Sequence, residues 1–344
     1  MQASGAKKHT RRAGEQTVKK RFGTLPNVCS GGGRAKPWQG HRVTTALPAT
    51  LQRRLEGGLL HLLAPDGRSS GDDFLLPHGE AALTAPDSVS WAVFKNPLVV
   101  FIGGVAAVLL ELAEPRVRSG VWEHTTFRAQ PLARLQRTGF AAMLTVYGAR
   151  SRAEPMIARV AGMHQRVRGH TPDGRAYCAA DPDLLDWVQA TASFGFVQAH
   201  HVYVGALSLA QHDRFYAEGA PAARLYGAVS APTSQAALQA LFDAWESRLE
   251  ASPIVFDFMR VVREMPALPR VARSVQSLLI RAAVQLVPPV LRDRLGLGPQ
   301  WNLAPWQHAL VRRACRAGEH LLLRTHPAVL ACRRLGLADD FLYA

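Results

Sequence analysis

The run PLARLQRTGFAAMLTVYG, residues 131–148, reads as one helix from end to end. Pro131 suits a first helical position, because the N–H it lacks has no intrahelical partner there anyway. Leu132, Leu135, Ala142, Met143 and Val146 follow at helical spacing, and Gly148 closes the run. Arg134 and Thr138, four apart, share one face.

The pattern repeats downstream. Ser151 and Glu154 predict a capping box. Met156, Ile157, Val160 and Val167 then form an apolar stripe that Gly169 ends. His164 lies seven after Ile157 and four after Val160, so the spacing turns it with the stripe, toward the core. Pro172, Asp173 and Gly174 predict a turn within 170–180. Asp181 and Pro182 start the next helix, with Leu184, Leu185, Val188, Thr191, Ala192 and Gly195 on its inner side. Ser208 to Gln211 opens another. Thr233 and Ser234 cap a helix carrying Leu238, Leu241, Phe242 and Trp245, and 270–287 and 304–324 supply two more.

Upstream, LVVFIGGVAAVLL (98–110) carries no charge, but Lys95 and Glu111 close it well short of the roughly 20 residues of a membrane span. It predicts a buried helix, with an in-plane membrane contact as the minor reading. Strand-like alternation is nearly absent. The reading is an all-α fold: one multi-helix domain over 86–344, a poorly defined extension over 45–85 with a short helix from Leu51 to Leu63, and a disordered basic tail over 1–44.

The 344 residues are 48% hydrophobic and 19% charged, which argues against a disordered chain, a collagen or a disulfide scaffold. The four cysteines form no C-x-x-C pair, so a zinc ribbon, a thioredoxin motif and covalent c-type haem lack support. Scattered thiols and the absence of an apolar run behind the N-terminal charges predict a cytoplasmic location. The net charge of +15 is uneven: +9 over 1–44, −2 over 45–259 and +8 over 260–344. With 35 of the 41 basic residues arginine, coding bias explains the balance better than a nucleic-acid grip. No specific nucleic-acid partner is expected, while the basic ends admit weak membrane-surface contact.

Dinucleotide, P-loop, nucleophile-elbow and zincin motifs are all absent. His164 on a buried face has two readings: a neutral core imidazole bonded to a carbonyl, or an axial ligand to haem iron in an apolar slot. Arg134 and Thr138 are equally open between a salt-bridging surface pair and a site.

Several segments together resemble a known family. They are 86–91 (PDSVSW), 120–124 (GVWEH), Phe127 and 131–138 (PLARLQRT), then 146–148 (VYG), 160–169 (VAGMHQRVRG) and 172–174 (PDG). Tyr177, Asp181, Pro182, 184–191 (LLDWVQAT), 213–218 (DRFYAE), Pro232 and Thr233 continue the order. The set is similar to the MpaB/rubber oxygenase (latex-clearing protein) superfamily over roughly 86–250. The resemblance implies an all-helical oxygenase with haem b (iron protoporphyrin IX) in a pocket between core helices and dioxygen as co-substrate. It implies an apolar, isoprenoid or lipid-like substrate attacked or cleaved at a C=C bond. It makes His164 the proximal iron ligand, and Arg134 and Thr138 the pair on the distal side. Two positions depart from the family pattern: Gln189 stands where His is frequent, and Glu114 precedes Pro115 where His is common. They carry the alternative of a non-catalytic helical member that has lost haem. His200 and His201 rank below His164 as ligands, and His124, also at a common family position, reads as a tie between a loop and the next helix or as a catalytic residue.

Overall fold

The computed structural model describes residues 48–63, 71–266 and 273–343. The tail expected over 1–44 lies outside the described residues. Fifteen α-helices, two short 3-10 helices and one two-stranded hairpin account for the regular structure among them, so the all-α expectation holds.

The centre is α4 (Pro97–Glu111) against α8 (Pro182–Tyr203). Pro97 opens α4, and Asn96 Oδ1 accepts the N–H groups of Leu98 and Val99 at 3.2 and 3.3 Å, satisfying two donors that the helix cannot. Gly103 and Gly195 let the two backbones touch: a Cβ on Gly103 would lie 2.8 Å from the Gly195 carbonyl oxygen. Val99, Ile102, Leu109 and Leu110 are wholly buried, each side chain contributing roughly 1.5–3 kcal/mol. The uncharged run is thus a core helix. No single described helix is long and apolar enough to cross a membrane; α4 reaches that length only together with α5 (Pro115–His124), across a 112° bend.

Around this pair lie α3 (Val89–Phe94), α6 (Pro131–Tyr147), α7 (Arg150–His164), α9 (Leu209–Tyr226) and α10 (Gln235–Trp245). The C-terminal part adds α11 (Pro253–Glu264), α12 (Arg273–Leu286), α13 (Pro289–Arg294), α14 (Pro305–Glu319) and α15 (Pro327–Arg334). The expected cap signals at Pro131, Pro182 and Ser234 stand, and Ser208 and Gln211 form a complete capping box on α9. Gly227, at φ +97°, ends α9 in the left-handed region that glycine tolerates.

The described residues upstream of 86 pack on the same helices. α1 (Ala49–Leu63) lies against α6, and α2 (Asp72–Leu75) packs on α15. Arg334, 1% exposed, donates to the carbonyls of Phe74 and Glu80 at 2.7 and 2.9 Å.

Two local expectations need correction. Ser151 and Glu154 form no capping box. Ser151 lies inside the first turn of α7, and the Glu80 carboxylate accepts its N–H and hydroxyl at 2.6 and 2.7 Å. An anion from a distant loop thus neutralises the helix N-terminus, and Glu154 pairs instead with Arg150 at 3.6 Å. The helix stops at His164, not at Gly169, because β1 (Arg168–His170) pairs antiparallel with β2 (Ala176–Cys178), and the Val167 carbonyl accepts the Ala179 N–H at 2.9 Å. The expected turn at 170–180 is therefore the tip of this hairpin, with Gly174 at φ +85°.

Candidate functional site

Partly exposed apolar side chains mark one face of the central helices. On α4 they are Phe101, Gly104 and Val108, followed by Glu111, three or four apart and hence in one stripe. On α8 they are Leu185, Val188, Ala192 and Phe196, with Gln189 and Ser193 beside them. Leu185, Val188 and Ala192 were expected on the inner side with Leu184, Thr191 and Gly195; only the latter three are buried. The two stripes adjoin, since Phe196 is the nearest neighbour of the Gly104 Cα on its open side, at 3.9 Å from a built Cβ.

Arg134 and Thr138 stand on α6, and His164 is the last residue of α7. The Arg134 guanidinium donates to the Thr138 hydroxyl in a short contact, and that hydroxyl donates to the Arg134 carbonyl at 2.9 Å. Thr138 itself is exposed. The shared helix face read from the spacing is a hydrogen-bonded pair.

His164 is only partly buried. Its Nδ1 is sealed from solvent without a hydrogen-bond partner among the described residues, and its Nε2 keeps some accessible surface, also unbonded among them. Burial first, then the Arg134 charge, hold the imidazole below its usual range. It is therefore neutral at pH 7, the form that ligates a metal. The core-imidazole reading expects a carbonyl partner for the ring, and among the described residues none bonds it.

Glu111 completes this set, and the sequence reading used it only as the end of an apolar run. Burial pushes its carboxyl up to about 7, against the opposing pull of the Arg134 charge. Burial also draws the Arg134 guanidinium down, while Glu111 draws it up; an arginine stays charged through such shifts. The available signal was position: Glu111 is the first charge after fifteen uncharged residues, in register with Gly104 and Val108.

A sequence profile described as "ER-bound oxygenase mpaB/B'/Rubber oxygenase, catalytic domain" matches residues 91–319, from α3 to the end of α14. The chain belongs to the MpaB/rubber oxygenase catalytic-domain family. No curated protein and no solved structure matches it. Membership sets the chain among oxygenase catalytic domains that act on a small-molecule substrate.

The other residues singled out by the sequence each have protein partners within this MpaB-family domain. Glu114 caps α5 (0% exposed) and accepts the Arg116 and Val117 N–H groups at 2.6 and 3.0 Å. His124 Nε2 meets the Tyr177 hydroxyl at 3.1 Å, tying α5 to the hairpin. His201 Nδ1 accepts the Leu207 N–H at 3.0 Å and so carries no proton; His212 Nε2 must then be the donor across their 3.2 Å contact. His200 is buried beside Glu319 at 4.0 Å. Gln189 Nε2 donates to Ser193 at 3.2 Å on the partly exposed face of α8.

Among the described residues no three His, Cys, Asp or Glu side chains gather within reach of one metal ion. The donor set at this site is a single imidazole. That fits a haem, which would need one imidazole from the protein and no further side-chain ligand set.

Proposed function

We propose that the chain is a haem b-dependent oxygenase that uses dioxygen on an apolar, isoprenoid or lipid-like substrate, with attack or cleavage at a C=C bond. One observation carries the reading. His164 has one sealed, unpartnered nitrogen and one accessible nitrogen, beside a fixed positive charge. His164 Nε2 would bind the iron, and the neutral ring needs no deprotonation to do so. Iron protoporphyrin, when bound, supplies the dioxygen chemistry that no side chain here provides.

The other residues hold and orient. Arg134 keeps a positive charge and spare N–H donors directed by Thr138, suited to a propionate or to developing negative charge. Glu111, with its carboxyl near 7, both accepts and releases a proton at working pH. The apolar faces of α4 and α8 keep water off a hydrocarbon substrate. Cleavage balances without an external reductant: the C=C bond and the O–O bond break, and each carbon leaves as a carbonyl bearing one oxygen atom. A cytoplasmic location with weak membrane-surface contact suits such a substrate.

The visible spectrum of the protein expressed with ample haem tests the proposal. A Soret band with about one haem per chain is expected, and it should vanish in His164→Ala. A band of unchanged occupancy in that variant rejects His164 as the ligand. A folded protein that takes up no haem rejects the oxygenase reading. With labelled dioxygen, label in both carbonyl products supports cleavage, whereas one labelled hydroxyl points to hydroxylation.

A further inference from the structure

Helix α14 turns a second apolar stripe outward, away from the core side carrying Val311 and Cys315. Trp306 is 67% and Leu310 50% exposed, and Ala309, Ala314 and Ala317 are exposed with them at spacings of three and four. Arg313 lies within the stripe, and Arg312 and Arg316 border it on one side. Trp301 stands five residues before Trp306, so the two lie within about 18 Å along the chain. Trp301 and Phe256, 6.4 Å apart between ring centroids, line a cleft of about 310 Å³ together with Arg260, Arg263 and Arg281. From Arg273 to Gly318 the chain carries seven arginines and one acid, Asp293. Asp257 and Glu264 are the acids on α11 at the cleft, paired with Arg260 and Arg263.

We propose that this face, α14 with the neighbouring arginine-lined cleft, docks the protein onto an anionic lipid surface. The composition matches that occupant. Tryptophan favours the headgroup boundary, where its ring is buried and its N–H stays wet. Leu310 and the alanines fill the acyl side, and the arginines reach back to lipid phosphates with their stems along the apolar layer. A second copy would set two positive faces together, and the N-terminal 44 residues, with ten basic residues and one acid, carry the same sign. A nucleic acid would use the arginines but leave Trp306 and Leu310 in water. The proposal stands apart from haem binding, since no residue of the candidate site belongs to this face.

The test is cosedimentation of the full chain with phosphatidylcholine vesicles, with and without phosphatidylglycerol. Binding is expected only with the anionic lipid. Trp306→Ser with Leu310→Ser should weaken it at least about tenfold. Gln at Arg312, Arg313 and Arg316 together should weaken it on the order of a hundredfold. Equal binding to neutral vesicles, no binding, or binding that survives both sets of substitutions overturns the proposal; the last would point to the N-terminal charges. A dimer in light scattering that Leu310→Ser converts to monomer would overturn it too. Should the paired substitution fail to fold, Trp306→Phe replaces it. Brominated lipid should then quench wild-type fluorescence more strongly than that of the variant, and equal quenching rejects the docking face.

Discussion

Glu111 and Glu114 lie three residues apart, on the two sides of the α4–α5 bend, and differ in everything but chemistry. Glu114 is fully buried and fully engaged. It accepts two backbone N–H groups, bonds Arg116 Nε at 2.9 Å, and lies 3.6 Å from Arg248. Both arginines also reach Asp183, at 3.0 and 2.9 Å, which ties α5, α8 and the turn after α10 together. Glu111 keeps some accessible surface, and its carboxyl has no hydrogen bond or ion pair among the described residues and feels Arg134 only through its field. A buried carboxylate with several donors is scaffold; one pressed by protein and left without donors holds its proton and can exchange it. The difference separates a structural acid from a chemical one within a single turn of sequence.

The largest effect expected from breaking this contrast is at Glu114. Glu114→Ala strands two arginines and two helix N–H groups, and should cost about 3–5 kcal/mol in denaturant unfolding. Glu111→Gln should act in the opposite direction. The folded chain holds the Glu111 proton up to about 7, while the unfolded chain releases it near 4.5. The folded state therefore binds more protons between those values, and stability falls as pH rises through that window. A glutamine has no such proton. In haem-free protein the variant should match wild type in acid and exceed it above neutrality, by about 3 kcal/mol at most. Thermal melts across that range give the answer, and a constant offset would show that Glu111 titrates normally.

The same pair shows how far sequence reasoning reaches. Helix positions followed from proline, cap and glycine signals because these act locally, as at Pro131, Ser208 and Gly148. Long-range partners left no local trace. Nothing near Ser151 indicates that Glu80 will cap α7, and nothing near Val167 indicates that a hairpin will take it from the helix. At the site, the spacing of Arg134 and Thr138 was legible as a shared face, whereas His164, read as turned toward the core, is only partly buried. Glu111 was not legible, because its meaning comes from Arg134, twenty-three positions away. Glu114, flagged as a departure from the family pattern, caps α5 through local N–H groups, but its tie to Arg248, and through Arg248 to Asp183, lies outside any local window.

Smaller substitutions sharpen the chemical half of the comparison. Arg134→Met removes the charge that lowers both Glu111 and His164. Both groups should then titrate higher, the carboxyl above about 7, as read by carboxyl and imidazole NMR resonances. Movement of only one would mean that the three groups do not share a field.

Thr138→Val should have the least effect on stability, under about 1 kcal/mol, because the hydroxyl sits on an exposed helix face. Its consequence is directional. Without that oxygen the guanidinium loses the acceptor that fixes its rotamer, and an arginine free to point into water screens its charge from Glu111. The Glu111 titration should therefore move the same way as in Arg134→Met, but less far. In a double variant Thr138→Val should add nothing, since its effect runs through a guanidinium that is no longer there. An additive shift would show instead that the hydroxyl acts on the carboxyl by another route, and Arg134 would lose its place as the link between α6 and the end of α4.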